Sequence, residues 1–239
     1  MRHPADALEV VMKFLLTSSG VTNPRIESTL VDLLGKPISE AAALFVPTGL
    51  HPFPGGAGSA WDAIAGAGGD RAAGLGWKSV GVLELTALPS IRRESWVPAL
   101  READVLIVWG GDVLHLCHWM RESGLADLLP ELTGTVYLGV SAGSIAVTPY
   151  NCDAEFDREF VPEGDDRGRD ADRALGLVDV TPYPHLGHPS MPDAALEEIR
   201  RWAAGIPVPT SAIDDDTALR IVDHQVEVVS EGTWELFEP

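Results

Sequence analysis

The 239-residue chain carries 17 basic against 36 acidic residues, a net charge of -19 that repels phosphate backbones and anionic membranes and argues against nucleic-acid or membrane-surface partners. It is 45% hydrophobic, enough for one large buried core, yet no apolar run approaches the ~20 residues of a membrane span. Two cysteines, Cys117 and Cys152, lie outside any C-x-x-C pair, which excludes a disulfide scaffold and suits a reducing cytoplasm.

Residues 1–10 are charged and lack a signal-peptide core; they read as an N-terminal extension to a single domain over 11–239. Val10 to Thr17 is an apolar run of the kind found in buried parallel strands, closed by Ser18-Ser19-Gly20. Pro24 to Leu34 has helical spacing and ends at Gly35, and Ala42 to Val46 is a second strand stopped by Pro47. Leu50 to Gly76 is rich in Gly, Ala and Pro. Its glycines match neither G-x-G-x-x-G nor a P-loop, so it reads as loop and loosely packed helix with no phosphate site.

Ser79 to Leu85 is predicted as a third strand, Ile91 to Arg101 as a helix, and Asp104 to Trp109 as a fourth strand running into Gly110-Gly111-Asp112. Val113 to Glu122 is helical. Asn151 to Arg173 is a strongly charged segment that reads as a solvated loop, or as a wall of a pocket beside the motif described next. Leu175 to Thr181 is predicted as a strand ending at Pro182-Tyr183-Pro184-His185 and Pro192 to Ala204 as an amphipathic helix. Val208 to Ile213 is a strand ending at Asp214-Asp215-Asp216, and Ala218 to Val222 with Val226 to Val229 form a hairpin around Asp223-His224. Strands alternating with helices give an α/β fold whose mostly parallel sheet is covered on both faces, with ligands gathering at the carboxyl ends of the strands.

The pattern centres on Thr135 to Pro149, T-V-Y-L-G-V-S-A-G-S-I-A-V-T-P, a strand, a sharp turn and a helix start. Gly139-Val140-Ser141-Ala142-Gly143 fits G-x-S-x-G, the nucleophile elbow, in which a strained serine is held up at a strand end and only small residues can crowd it. The Ala142 amide would face an oxyanion formed at Ser141, and the Gly110-Gly111 pair offers a second donor. A serine hydroxyl needs a base and an acid to activate it. His185 and the run Asp214 to Asp216 each follow a predicted strand after the serine. Alone, a Pro-flanked histidine and three aspartates are ordinary turn residues; their order at successive strand ends gives them meaning. His185 with His188, and His115, Cys117 and His118, have metal-like spacings but no evident third and fourth ligands, so neither metal nor cofactor is expected.

L-T-S-S-G near the start, V-W-G-G-D, G-V-S-A-G-S, P-H-L-G-H and A-I-D-D-D-T-A-L, in that order, resemble the peptidase E family of serine peptidases, which includes aspartyl dipeptidase and cyanophycinase. The resemblance spans about Val11 to Val229. It implies a three-layer α/β/α sandwich akin to the class I glutamine amidotransferase domain (flavodoxin-like), with Ser141 as nucleophile, His185 as base and Asp215 at the position of the third member, where the family has Glu. It also implies that Gly111 and Ala142 supply the oxyanion-hole amides and that Asp153 or Asp157 matches an additional acid after the elbow helix. Asp112, beside the glycine pair, is a further candidate for that role or for a substrate contact. The family's aspartyl dipeptidases recognise the substrate's acidic side chain with an arginine after the base; Ala195 stands there, so the expected substrate is a small peptide not restricted to N-terminal Asp.

Two other readings follow from the same residues. An α/β-hydrolase esterase would pair Ser141 with His224 and with an acid such as Asp193 or Asp214. A non-catalytic relative would keep the fold to bind a ligand. The acidic surface neither requires nor forbids a homodimer.

Overall fold

The computed structural model describes residues 12–66, 72–152, 160–161 and 173–239. Its main sheet has seven strands: β1 (Lys13–Thr17), β2 (Ala42–Val46), β3 (Ser79–Val82), β4 (Val105–Val108), β5 (Val136–Val140), β8 (Thr217–Val222) and β9 (Gln225–Ser230). Their order is β3-β2-β4-β5-β1-β8-β9. The first five are parallel, while β8 runs antiparallel to β1 and pairs with β9 as the expected hairpin. A separate three-stranded sheet joins β6 (Thr181–Tyr183), β7 (Thr210–Ile213) and β10 (Trp234–Phe237) in the order β10-β7-β6.

The central strands are mostly apolar because both faces of the sheet are buried. Phe14, Leu16, Leu106, Val108 and Tyr137 belong to one core, and the alternate residues Leu15, Val105, Ile107, Val136 and Leu138 to the other. Helix α1 (Pro24–Leu34) covers the second face with Ile26, Leu30 and Leu33. Its start is set by Asn23, whose Oδ1 accepts the Ile26 N–H at 3.0 Å, with Pro24 at the first position; Gly35 closes it in the left-handed conformation at φ 68°. Helix α4 (Val113–Glu122) covers the first face with Leu116, Cys117 and Met120, and Ile199 of α7 (Leu196–Ala203) joins the same core. The result is the expected three-layer sandwich.

Several predicted elements differ. The strand expected over Ser79 to Leu85 stops at Val82, with a tight helical turn from Leu85. The helix expected over Pro192 to Ala204 breaks at the extended Ala195 (φ -68°, ψ 141°) into the turn Pro192–Ala194 and α7. The glycine-rich stretch after Leu50, read as loop and loosely packed helix, does contain a helix, α2 (Gly56–Ile64). The helix predicted from Ile91 is instead the short turn Arg93–Ser95 followed by α3 (Val97–Glu102), because Pro98 fits only in a helix's first turn. The strand predicted at Leu175 begins only at Thr181. The amides of Leu175, Gly176 and Leu177 are taken by the carbonyls of Ala146, Thr148 and Val147, at 3.0, 2.8 and 2.7 Å, so they are unavailable to a ladder. Strand β10 was not expected; it is short, and Trp234 and Leu236 are exposed, which left little hydrophobic pattern to read. The other short helices are α5 (Leu125–Leu128) and α6 (Ala142–Ile145). Among the described residues no helix is long and apolar enough to cross a membrane.

Candidate active site

Ser141 lies between β5 and α6 with φ 51° and ψ -116°, a conformation that costs a non-glycine residue on the order of 1–3 kcal/mol. It is held there from both sides: its N–H donates to Thr17 O at 3.0 Å, and its carbonyl accepts from the Ser144 and Ile145 amides at 2.8 and 3.1 Å. The flanking glycines follow from close packing. A Cβ on Gly143 would come 1.9 Å from the Val108 carbonyl oxygen, and one on Gly139 2.8 Å from Ser144 Cα. Ser144 also locks the elbow to β1, its Oγ donating to Thr17 O at 2.7 Å while accepting the Thr17 N–H at 2.9 Å.

His185 follows β6 and also has a positive φ, 62°. Its Nε2 is 2.9 Å from Ser141 Oγ, and its Nδ1 is 2.8 Å from Asp215 Oδ1. An ionised carboxylate only accepts, so Nδ1 carries the proton; the neutral ring then presents a lone pair at Nε2 to the serine hydroxyl. The hydrogen bond from His185 holds the Asp215 carboxyl below the usual carboxylate range. Partial burial opposes this, and a hydrogen bond from Ser19 adds to it.

The turn after β1 sets both partners. Ser18 Oγ accepts the His185 N–H at 3.1 Å and donates to Ile213 O at 3.0 Å, while Ser19 Oγ donates to Asp215 Oδ1 at 2.8 Å. Thr22 Oγ1 donates to the Asp215 carbonyl at 2.9 Å. In the sequence Ser18-Ser19-Gly20 closes a strand and belongs to the L-T-S-S-G motif, but nothing there assigns either hydroxyl a role; two hydroxyls beside a strand's carboxyl end are the available signal.

Gly110 and Gly111 follow β4 at the same rim. A Cβ on Gly110 would lie 3.2 Å from Ser141 Cβ, so this turn abuts the serine, and Gly111 adopts φ 123°. The Ala142 amide, first in α6, has no intrahelical acceptor by its position. Gly111, Ser141, Ala142 and His185 line a cavity of about 270 Å³ whose further walls include Val113, Ile145, Tyr183, Met191 and Asp193.

The remaining candidates separate cleanly. Asp112 is the N-cap of α4, accepting the His115 N–H at 2.6 Å, and is nearly buried. Asp153 and Asp157 lie outside the described residues, as does most of the charged segment Asn151 to Arg173. Asp214 is occupied elsewhere, accepting from Thr217 Oγ1 at 2.7 Å and the Asp216 amide at 3.1 Å within its own turn and from the Thr233 amide before β10. His224 sits exposed in the β8–β9 turn, 3.5 Å from Asp179; the histidine within reach of Ser141 is His185, against the esterase pairing with His224. Among the described residues no three His, Cys, Asp or Glu side chains are grouped to hold a metal. Cys117 is fully buried, and desolvation pushes its thiol up to about 12, which removes it as a nucleophile.

A mostly parallel α/β sandwich thus brings a serine, a histidine and a carboxylate together at the carboxyl ends of its strands. The sequence profile of peptidase family S51 matches residues 14–229, and the chain belongs to that family, which makes it a peptidase by class. Two solved structures are similar. One, from Listeria monocytogenes EGD-e, is described as a candidate peptidase E protein. It is 18% identical, with a TM-score of 0.62 over 93% of this chain and 100% of that one. The other is a peptidase from an acI-B1 Actinobacterium, 17% identical, with a TM-score of 0.58 over 95% of this chain and 94% of that one. At these identities the likeness establishes the fold. No curated protein sequence matches the chain.

Proposed function

We propose that the chain is a serine peptidase that hydrolyses small peptides through an acyl-enzyme, with Ser141, His185 and Asp215 as its triad. The observation that carries this reading is the single histidine ring bridging Ser141 Oγ at 2.9 Å and Asp215 Oδ1 at 2.8 Å, on a serine with φ 51°. In this reading Ser141 Oγ attacks the scissile carbonyl as His185 Nε2 takes its proton. Asp215 keeps the ring oriented and stabilises the imidazolium. The Gly111 and Ala142 amides bind the tetrahedral oxyanion. His185 then returns the proton to the leaving amine, and water repeats the cycle on the ester.

The substrate is small because the cavity is: about 270 Å³ accommodates one or two side chains. Its walls mix apolar side chains such as Val113, Ile145 and Met191 with polar ones that include the carboxylate residue Asp193, while Ala195 stands where the related aspartyl dipeptidases carry their arginine. Preference for an N-terminal aspartate is therefore not expected. Two free, buried cysteines suit a cytoplasmic setting. The test is turnover of a mixture of dipeptides to tetrapeptides followed by mass spectrometry. The wild type cleaves a subset that Ser141→Ala leaves intact, and equal cleavage by both proteins would refute the reading.

A further inference from the structure

The glycine turn next to Ser141 rests on a second turn that takes no part in the chemistry. Residues Thr48–Leu50 form a single tight turn after β2, and Gly49 O accepts the Asp112 N–H at 2.9 Å. The two backbones are in direct contact. A Cβ on Gly111 would fall 2.0 Å from Gly49 O, and one on Gly49 would fall 2.7 Å from Gly110 O. Gly110 and Gly111 are thus wedged between Ser141 on one side and Gly49 on the other, and the Gly111 amide can sit only where the Thr48–Leu50 turn allows.

That turn is in turn tied to the chain after β3. Thr48 is fully buried; its Oγ1 donates to Glu84 Oε1 at 3.1 Å and accepts the Leu85 N–H at 3.1 Å. The same Oε1 accepts from Thr86 N and Thr86 Oγ1 at 3.2 and 2.9 Å, and His51 Nε2, just past the turn, lies 2.9 Å from Oε2. The carboxylate of Glu84 therefore holds the Thr48–Leu50 turn through the Thr48 hydroxyl, with the His51 ring beside its other oxygen.

We infer that Thr48 and Glu84 are positioning residues for the oxyanion site, fixing the Gly111 amide through the Gly49 backbone. This rests on the proposed role of Gly111. Oxyanion donors act only when pre-set in the transition-state geometry, so a displacement of a few tenths of an ångström to 1 Å behind Gly111 slows the chemical step and leaves ground-state binding nearly unchanged.

The test uses the full chain and a fluorophosphonate, whose phosphoryl oxygen enters the same site as it forms a bond to Ser141. Concentration-dependent labelling separates the initial binding constant from the maximal bonding rate. Thr48→Val, which keeps the shape and removes the hydroxyl, and Glu84→Ala are expected to lower the maximal rate by about tenfold to a hundredfold with the binding constant within about twofold. Thr48→Ser restores the hydroxyl and is expected to stay within about threefold of wild type. Rates are measured on the folded fraction isolated by size exclusion, so a purely structural role would lower yield or melting temperature and leave the rate unchanged. A wild-type maximal rate in folded Thr48→Val, or an equal loss in Thr48→Ser, overturns the inference. Absence of labelling at Ser141 in the wild type refutes the underlying peptidase reading instead.

Discussion

The hydroxyl of Ser19, in the turn after the first strand, lies 2.8 Å from the Oδ1 of Asp215, 196 residues further along the chain. The same oxygen receives His185 Nδ1 at 2.8 Å, so one carboxylate oxygen takes two donors. Ser19→Ala removes one of them. The carboxyl of Asp215 is depressed in the folded protein, so its contribution to stability is full above its unfolded value of about 3.9 and is lost as pH falls through the lower folded value. With Ser19 gone the folded value rises towards the unfolded one. The variant is expected to lose part of this acid-side stability and to show a several-fold lower kcat, read from melting temperature between about pH 2 and pH 5 and from a pH–rate profile. Superimposable melting curves for the two proteins would show that the bond does not act on Asp215.

Backbone strain at Ser141 predicts an exchange of activity for stability. Ser141→Gly relieves the positive φ and is expected to raise stability by about 1 kcal/mol, a gain in melting temperature of roughly 2–4 °C for a chain of this size. It also removes the nucleophile, and turnover should fall by at least about a thousandfold. Ser141→Ala shares the second effect without the first. A melting temperature for Ser141→Gly at or below that of Ser141→Ala would contradict the strain.

Packing at the elbow predicts a contrast between two glycines. A Cβ on Gly143 meets the Val108 carbonyl at 1.9 Å, whereas one on Gly58, inside α2, meets nothing within 4 Å. Gly143→Ala is expected to cost about 3 kcal/mol or to prevent folding, while Gly58→Ala gains about 0.5–1 kcal/mol from helix propensity. Urea unfolding of both variants measures the pair.

Reactivity of the cysteines should be low in the native protein. Cys117 and Cys152 are both 2% exposed or less, and the Cys117 thiol, pushed up to about 12, bonds to Ala146 O. Iodoacetamide at pH 8 is expected to modify Cys117 only after denaturation; rapid modification of the folded chain at this residue would contradict its burial.

Much of this architecture was legible because the strands carry the pattern of a doubly covered sheet. Leu15 and Leu16 face opposite cores, so the alternation of an exposed sheet is absent and a continuous apolar run appears. Helices α1 and α4 were legible from their periodicity and, for α1, from Gly35; both fall at the expected residues. The late strands were less so. β6 is short and β10 is partly exposed, and nothing local says that they leave the main sheet for one of their own. Ser141, His185 and Asp215 stood out because each interrupts a strand–turn boundary with a chemically distinct side chain. Thr48, Glu84, Ser18 and Ser19 did not, since a threonine or serine that supports a site looks like any other turn residue until the fold brings its partner 36 to 196 positions away into contact.

The most direct test of the account is fluorophosphonate labelling with mass-spectrometric mapping of wild type, His185→Ala and His224→Ala. The account predicts modification at Ser141 in the wild type and in His224→Ala at similar rates, with loss of labelling in His185→Ala. An unmodified Ser141 in the wild type, or labelling that survives removal of His185 and depends on His224, would contradict it.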